Sequence, residues 1–399
     1  MPLPALSMRY LRRLIGSQMI RPITQSNWYQ PRDAVQGCAQ PQSLSVDAQS
    51  TTLAPAVLQA GGDYLMSHNT SAFLVMQQGR LVHERYRRFY AHYTFNSMSL
   101  VKTVQAICIG IAIDHGLIAS VDEPASTYLP EWRNDARQHI TIGHLLSMQS
   151  GLQSDVGFHP LRLLPPVVRL YLGDAVEHHA LRLPAVAKAG EYFEYNNYNT
   201  QLLGIVLERA SGMSAATFFS RYLWQPLGCH DAHLWLDREG GMARTFGAMF
   251  ARPEDWLRVG QLFLTRGQHH GQQIVSSAWL DEMLVARNTP EQGVVGGRGD
   301  YGYHIWLKAH DAGLVRGIPW FEAMHAKAPH QDASIFYFEG MRGQYVFISP
   351  QHELVMLRVG ERPNKDWDAS RVINQLTQAL SMQPTQSSRR SLHTDEHIV

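Results

Sequence analysis

The chain has 399 residues, 45% of them hydrophobic and 17% charged, with a formal net charge of +1. That is ordinary globular composition with ample length for a large core. The near-neutral balance, with no basic stripe, leaves no electrostatic reason to expect nucleic acid. Three cysteines (Cys38, Cys108 and Cys229) sit at unrelated spacings and make neither a disulfide framework nor a zinc pattern.

The first stretch, MPLPALSMRYLRRLIGSQMI, is interrupted by basic residues where a signal peptide would be continuously apolar. No uncharged apolar run approaches the roughly 18–20 residues of a spanning helix. A cytoplasmic protein without a membrane partner is the expectation. Residues 1–55 recur in Pro, Gln and Ser without a period and read as an irregular, wrapping extension. AFLVMQQGRLVHERYRR then gives a hairpin signal around Gln78-Gly79. LVKTVQAICIGIAIDHGLI has helical length and is apolar nearly all round, which describes a buried helix.

TIGHLLSMQSGL reads as a short helix ending at Gly151, and NTQLLGIVLERASGM as a helix closed by Gly212. AATFFSRYLWQPLG is another helix. RPEDWLRVGQLFLTRG opens with Pro253, Glu254 and Asp255, which suit a first helical turn. The pattern then changes to short aromatic and β-branched runs, YGYHIWLKA, ASIFYFEG, GQYVFISP and ELVMLRVG, which read as strands. DASRVINQLTQAL is a final helix, and residues 384–399 are polar and read as a mobile tail.

Strands at both ends of the chain imply one discontinuous α/β (α+β) lobe, residues 56–95 and 250–383. An all-helical lobe, 96–249, is inserted in it. The cleft between two lobes is a usual place for a ligand.

Ser99 and Lys102 form S-x-x-K, a spacing found at none of the other four lysines. At i, i+3 on a helix the two side chains are neighbours. A serine at a helix N-terminus sits where developing negative charge is favoured. The lysine can take its proton only when neutral, so burial or a positive partner must lower a reference pKa of about 10.4. The bland alternative is a helix start with a surface lysine. Tyr195, in FEYNNYNTQLLG, offers a proton relay, and Asn197 a substrate amide binder. The bland alternative there is an Asx-turn and helix cap. Gly340 and Gly343, in FEGMRGQYVFISP, would let backbone approach a ligand, and an N–H on that edge can be half of an oxyanion hole. The histidines of EHHA, CHDAH and QHH lack H-E-x-x-H spacing, so no metal is expected. Tyr303 and Trp306 are candidates to line the cleft.

SLVK, YNN and a glycine-bearing strand in the place of K-T-G, in that order, resemble serine β-lactamases and penicillin-binding proteins. IGIAIDHGLIASVDEPASTYLPEW, ITIGHLLSMQSGL, LLGIVLERASGM, LWQPLG and YGYHIW look like the class C β-lactamase-like branch, in register over roughly residues 72–380. GMRGQ and YLWQPLG are most similar to 6-aminohexanoate-dimer hydrolases and related esterases. The resemblance implies a β-lactamase/transpeptidase-like fold, an antiparallel sheet flanked by helices plus the inserted lobe.

It also implies roles: Ser99 as acylated nucleophile, Lys102 as general base, and Tyr195 sharing the proton traffic as a coupled partner. The backbone N–H groups of Ser99 and Met341 would hold the oxyanion, and Asn197, Gly340 and Gly343 would contact substrate. No cofactor is implied. The expected partners are a small ester or amide substrate and, beyond that, a second copy of the chain as a homodimer. The K-T-G place reads Phe338-Glu339-Gly340, without Lys or Thr. That departure argues against efficient β-lactam hydrolysis and for uncharged esters or amides, with Arg342 as a partial substitute for the missing cation. The competing readings are a D-amino-acid peptidase or weak β-lactamase, a silent scaffold on the same fold, and an exported cell-wall protein.

Overall fold

The computed structural model describes residues 7–16, 22–23, 26–87, 90–154, 166–309 and 328–382. The expected tail, 384–399, lies outside them. In chain order come helix α1 (Met8–Ile15), strand β1 (Arg32–Val35), α2 (Pro55–Ser67), β2 (Thr70–Gln77), β3 (Arg80–Tyr86) and β4 (Phe95–Asn96). Helices α3 (Val101–Asp114), α4 (Ile142–Leu146), α5 (Pro166–Leu172), α6 (Val176–Leu181), α7 (Asn197–Ser211) and α8 (Ala215–Phe219) follow. Then come β5 (Ala232–Trp235), β6 (Met249–Ala251), α9 (Pro253–Leu264), β7 (Gln268–His269), β8 (Gln272–Gln273) and α10 (Ser277–Met283). The chain closes with β9 (Phe336–Gly340), β10 (Gln344–Ser349), β11 (Leu354–Gly360) and α11 (Ser370–Ser381).

The main sheet is antiparallel in the order β3-β2-β11-β10-β9, so strands from both ends of the sequence share it. Its register pairs Leu74 with Leu357, and Val346 with both Leu357 and Phe338. Because side chains alternate along a strand, that register puts these four on one face. They join α9 in one core, while Phe73, Val75, Tyr345, Phe347 and Met356 face α2 and α11 in another. Leu257 and Leu357 are fully buried. Truncating either to alanine costs about 2–5 kcal/mol. The hairpin turn is Gln78-Gly79, both at positive φ (51° and 76°), the geometry that matches strand twist.

A second, four-stranded sheet, β1-β5-β6-β4, is built from runs too short to announce themselves by periodicity. It corrects two expectations. The inserted region is not all-helical, since it carries β5 and the start of β6. The N-terminal stretch is not irregular throughout, since β1 pairs antiparallel with β5. Beyond β1 the chain is pinned to α9: Glu254 accepts from the Leu44 N–H at 2.7 Å, and Arg258 donates to the Gln42 carbonyl. Arg258 also pairs with Asp255, and His230 meets Asp255 at 3.2 Å. Long-range partners held a segment whose local sequence prefers nothing.

α3 is buried from Val101 to Ala112, as its all-round apolarity requires. α7 ends at Gly212, left-handed at φ 69°. The helix expected to end at Gly151 stops earlier, at Leu146, and Met148 turns to φ 61°. YGYHIW does not form a strand: only isolated bridges join Tyr301 to Trp306 and Trp306 to Tyr337. Its aromatics spend their contacts on side-chain packing instead. Among the described residues no single helix is long and apolar enough to cross a membrane.

Candidate active site

Strand β4 leads directly into the turn that carries Ser99. Asn96 ends the strand, and its side-chain oxygen accepts from the Met98 N–H at 3.0 Å. Met98 sits at φ 51°, a conformation non-glycine residues adopt only when their surroundings insist. A 3₁₀ turn, Met98–Leu100, then runs into α3. Ser99 is therefore at a helix start, where the first N–H groups lack intrahelical acceptors.

Lys102 is 2% exposed, so it is not the surface lysine of the bland reading. Its Nζ donates to Ser99 Oγ at 2.8 Å, to Asn197 Oδ1 at 2.8 Å and to the Phe246 carbonyl. The spacing of three residues brings serine and lysine together, as expected. The other two acceptors come from 95 and 144 residues away in sequence. Asn197, expected to bind substrate, has its side-chain oxygen on Lys102.

Tyr195 precedes α7, whose cap is Asn196: that side chain accepts from the Tyr198 N–H at 3.0 Å. Lys102 Nζ lies 5.1 Å from the Tyr195 ring centre. The ring stacks on Trp306 (5.9 Å, 14°) and meets Tyr301 edge-on (6.2 Å, 81°). Trp306 thus belongs to the site. Tyr303 does not contribute in the expected way; it is buried and stacks on Trp279 at 5.8 Å.

The end of β9 closes the site from the other lobe. A Cβ on Gly340 would stand 2.5 Å from the Ser97 carbonyl oxygen and 3.2 Å from Met98 Cβ. Only glycine permits that approach. Met341, the next residue, therefore starts the β9–β10 turn beside the turn that carries Ser99. Gly343 has φ 77°, and an added Cβ would be 2.7 Å from Arg358 Nη1. Arg358 is fully buried and donates to the Arg342, Gly343 and His68 carbonyls. The positive φ and the close arginine both require a glycine at 343.

Arg342 is not aimed as the missing cation. Its Nη1 is 2.6 Å from Glu361, whose other oxygen accepts from the Ile23 N–H. In the K-T-G place, Phe338 packs on Phe263 at 5.6 Å. Glu339 accepts from the Tyr345 hydroxyl at 3.1 Å, and burial pushes its carboxyl up to about 8. A packed phenylalanine and a buried acid stand where a lysine and a threonine would be.

The β-lactamase family model matches residues 65–379. The chain belongs to the β-lactamase family. It is 25% identical over 316 residues to the 6-aminohexanoate-dimer hydrolase of Paenarthrobacter ureafaciens, covering 74% of each. A provisionally assigned 6-aminohexanoate-dimer hydrolase from Bacillus anthracis superposes with a TM-score of 0.69 at 20% identity, over 95% of this chain and 97% of that one. A family VIII carboxylesterase superposes at 0.62 and 16% identity, over 85% of this chain and 100% of that one. The last two are likenesses of fold. The family and the curated relative are hydrolases, so this β-lactamase-family chain has hydrolase kin on both counts.

Three contributors to the site had escaped assignment. Asn96 has no motif of its own. Phe246 acts through its carbonyl, a group every residue carries. His304 lies within YGYHIW, read from sequence as a strand in which only Tyr303 and Trp306 are cleft candidates.

Proposed function

We propose that this β-lactamase-family chain is a serine hydrolase that forms an acyl-enzyme on Ser99 and hydrolyses small esters or amides. The observation that carries the reading is the buried Lys102 Nζ, 2.8 Å from Ser99 Oγ. Ser99 Oγ attacks the acyl carbon while its proton passes to the Lys102–Tyr195 pair. The N–H groups of Ser99 and Met341 stabilise the oxyanion, and the helix start adds its dipole. The same pair returns the proton to the departing alcohol or amine. Water then attacks the ester on Ser99, giving a proton to the pair, which passes it to Ser99 Oγ as the acyl–oxygen bond breaks and the acid leaves.

Phe338 and Glu339 in place of a lysine and threonine, with Arg342 held by Glu361, favour substrates without the carboxylate of a β-lactam. The curated relative's amide and the carboxylesterase's ester frame the substrate class.

Intact-mass spectrometry after a fluorophosphonate tests this. One adduct on the wild type, and none on Ser99→Ala, is the expected result. Substrates would then be sought among p-nitrophenyl esters, 6-aminohexanoate dimers and nitrocefin. A wild type that takes no label, and turns over none of these, would leave a silent scaffold as the better reading.

A further inference from the structure

Lys102 draws its acceptors from two helices. Ser99 belongs to its own helix start, so that contact is set by the local spacing. Asn197 belongs to α7, as Tyr195 does through the residue that caps it. Whether Lys102 reaches both sides depends on how α3 and α7 are placed against each other. A displacement of about 1 Å can cost roughly a hundredfold in rate.

His304 stands between those helices. The Thr103 hydroxyl, next in sequence to Lys102, donates to the His304 carbonyl at 2.8 Å. The Thr200 hydroxyl, three residues after Asn197, meets His304 Nε2 at 3.0 Å. The His304 N–H donates to the Leu146 carbonyl at the end of α4, at 3.2 Å. The residue is 3% exposed, and its φ of 54° is one a non-glycine residue holds only under constraint.

Packing alone does not explain the side chain. His304 Nδ1 is buried without a hydrogen-bond partner among the described residues. An apolar side chain of similar size would fill the space without that cost. What the imidazole adds is the bond to Thr200. Burial, and then the charge of Lys102, push its pKa down to about 3, so it makes that bond as a neutral ring. It brings no second positive charge towards the lysine.

We propose that His304 is a positioning residue, bridging Thr103 of α3 and Thr200 of α7 so that Lys102 is held on Ser99 and Asn197 together. The inference rests on the reading of Ser99 and Lys102 as nucleophile and base.

The test compares His304→Leu, His304→Gln and Thr200→Val with the wild type. Leucine keeps volume and loses the bond. Glutamine offers a neutral hydrogen-bonding group at the reach of Nε2. Valine removes the partner while leaving His304 untouched. The readouts are the rate of Ser99 labelling by a fluorophosphonate, and kcat and KM on a p-nitrophenyl ester.

His304→Leu and Thr200→Val should each lower kcat and the labelling rate about 10- to 100-fold, with KM within about twofold. His304→Gln should recover most of the loss. The double variant should be little worse than the worse single, because both remove one interaction. Wild-type kcat in Thr200→Val overturns the inference, as does wild-type kcat in a His304→Leu that merely melts earlier. If His304→Leu does not fold, the isosteric Thr200→Val decides the question. A labelled wild type with unaffected variants refutes this inference alone, whereas a wild type that takes no label removes its basis as well as the acyl-enzyme reading.

Discussion

The start of α3 and the turn after β9 meet beside the turn that carries Ser99, and they differ in character. At α3, Lys102 makes three short hydrogen bonds from a buried position, to Ser99, Asn197 and Phe246. At the β9–β10 turn the close backbone approach of Gly340 is present, but the side chains beside it have changed character. Phe338 is packed into the core, Glu339 is a buried acid and Arg342 is spent on Glu361. Bond breaking needs a nucleophile, a base and an oxyanion site at fixed distances, so those parts tolerate little drift. Recognition is a difference between affinities and moves with a few side chains.

If this contrast is right, the largest effects lie at α3. Ser99→Ala should lower kcat at least about 10,000-fold, because the acyl acceptor is gone. Lys102→Ala should cost about 100- to 10,000-fold, the range of a general base. Steady-state assays on one ester decide both, and near-normal kcat in either breaks the comparison at its stronger side. Asn197→Ala removes one hydrogen bond from Lys102, worth about 0.5–1.5 kcal/mol, and should lower kcat about 2- to 10-fold. A rise in KM alone would return Asn197 to the substrate-binding role first expected of it.

The turn side is sharpened by substrate choice. With no free cation placed at residues 338, 339 or 342, nitrocefin should have a kcat/KM about 10- to 100-fold below that of a p-nitrophenyl ester. Equal or better nitrocefin turnover would show that the altered turn still holds a β-lactam carboxylate.

The smallest effects concern stability, and the buried histidines and Glu339 should respond to pH in opposite senses. Burial is the main cause lowering His304 to about 3 and His330, which packs edge-on against Tyr337 of β9 and Phe347 of β10, to about 4. Below pH 6.5 the unfolded chain takes up these protons and the native chain does not. Stability should therefore fall with pH from about 6.5 towards 4, by roughly 2 kcal/mol per histidine between pH 7 and 5. Glu339 is raised to about 8, so above pH 4.5 the unfolded chain releases a proton that the native chain keeps. Its contribution is full below pH 4.5 and is lost as pH rises to about 8. Urea midpoints of wild type and Glu339→Gln at pH 5 and 8 separate the two: the substitution should gain ground only at the higher pH. An identical difference at both values would show that Glu339 titrates normally.

Much of this molecule was legible residue by residue. The Ser99–Lys102 pair follows from i, i+3 spacing, since helix geometry places those side chains together whatever surrounds them. The buried helix α3, the Gln78-Gly79 turn and the Gly212 cap also follow from local rules. Local rules failed where distant partners set the conformation. YGYHIW has strand-forming residues, but Tyr195, Trp279 and the β9 backbone claim its surfaces. β1, β5 and β6 are too short to carry a period, and appear only because the chain brings them side by side.

The sequence by itself determined the family, the pairing of Ser99 with Lys102, and the altered K-T-G place. Each rests on residue identity or on spacing within one element. The tertiary structure decided what Lys102 touches beyond Ser99, that Asn197 serves the lysine, that Gly343 and Arg342 turn to Arg358 and Glu361, and that His304 joins α3 to α7. Those facts depend on side-chain direction and on carbonyl oxygens, which are chemically alike at every position. Only the packing of elements far apart in the chain selects among them.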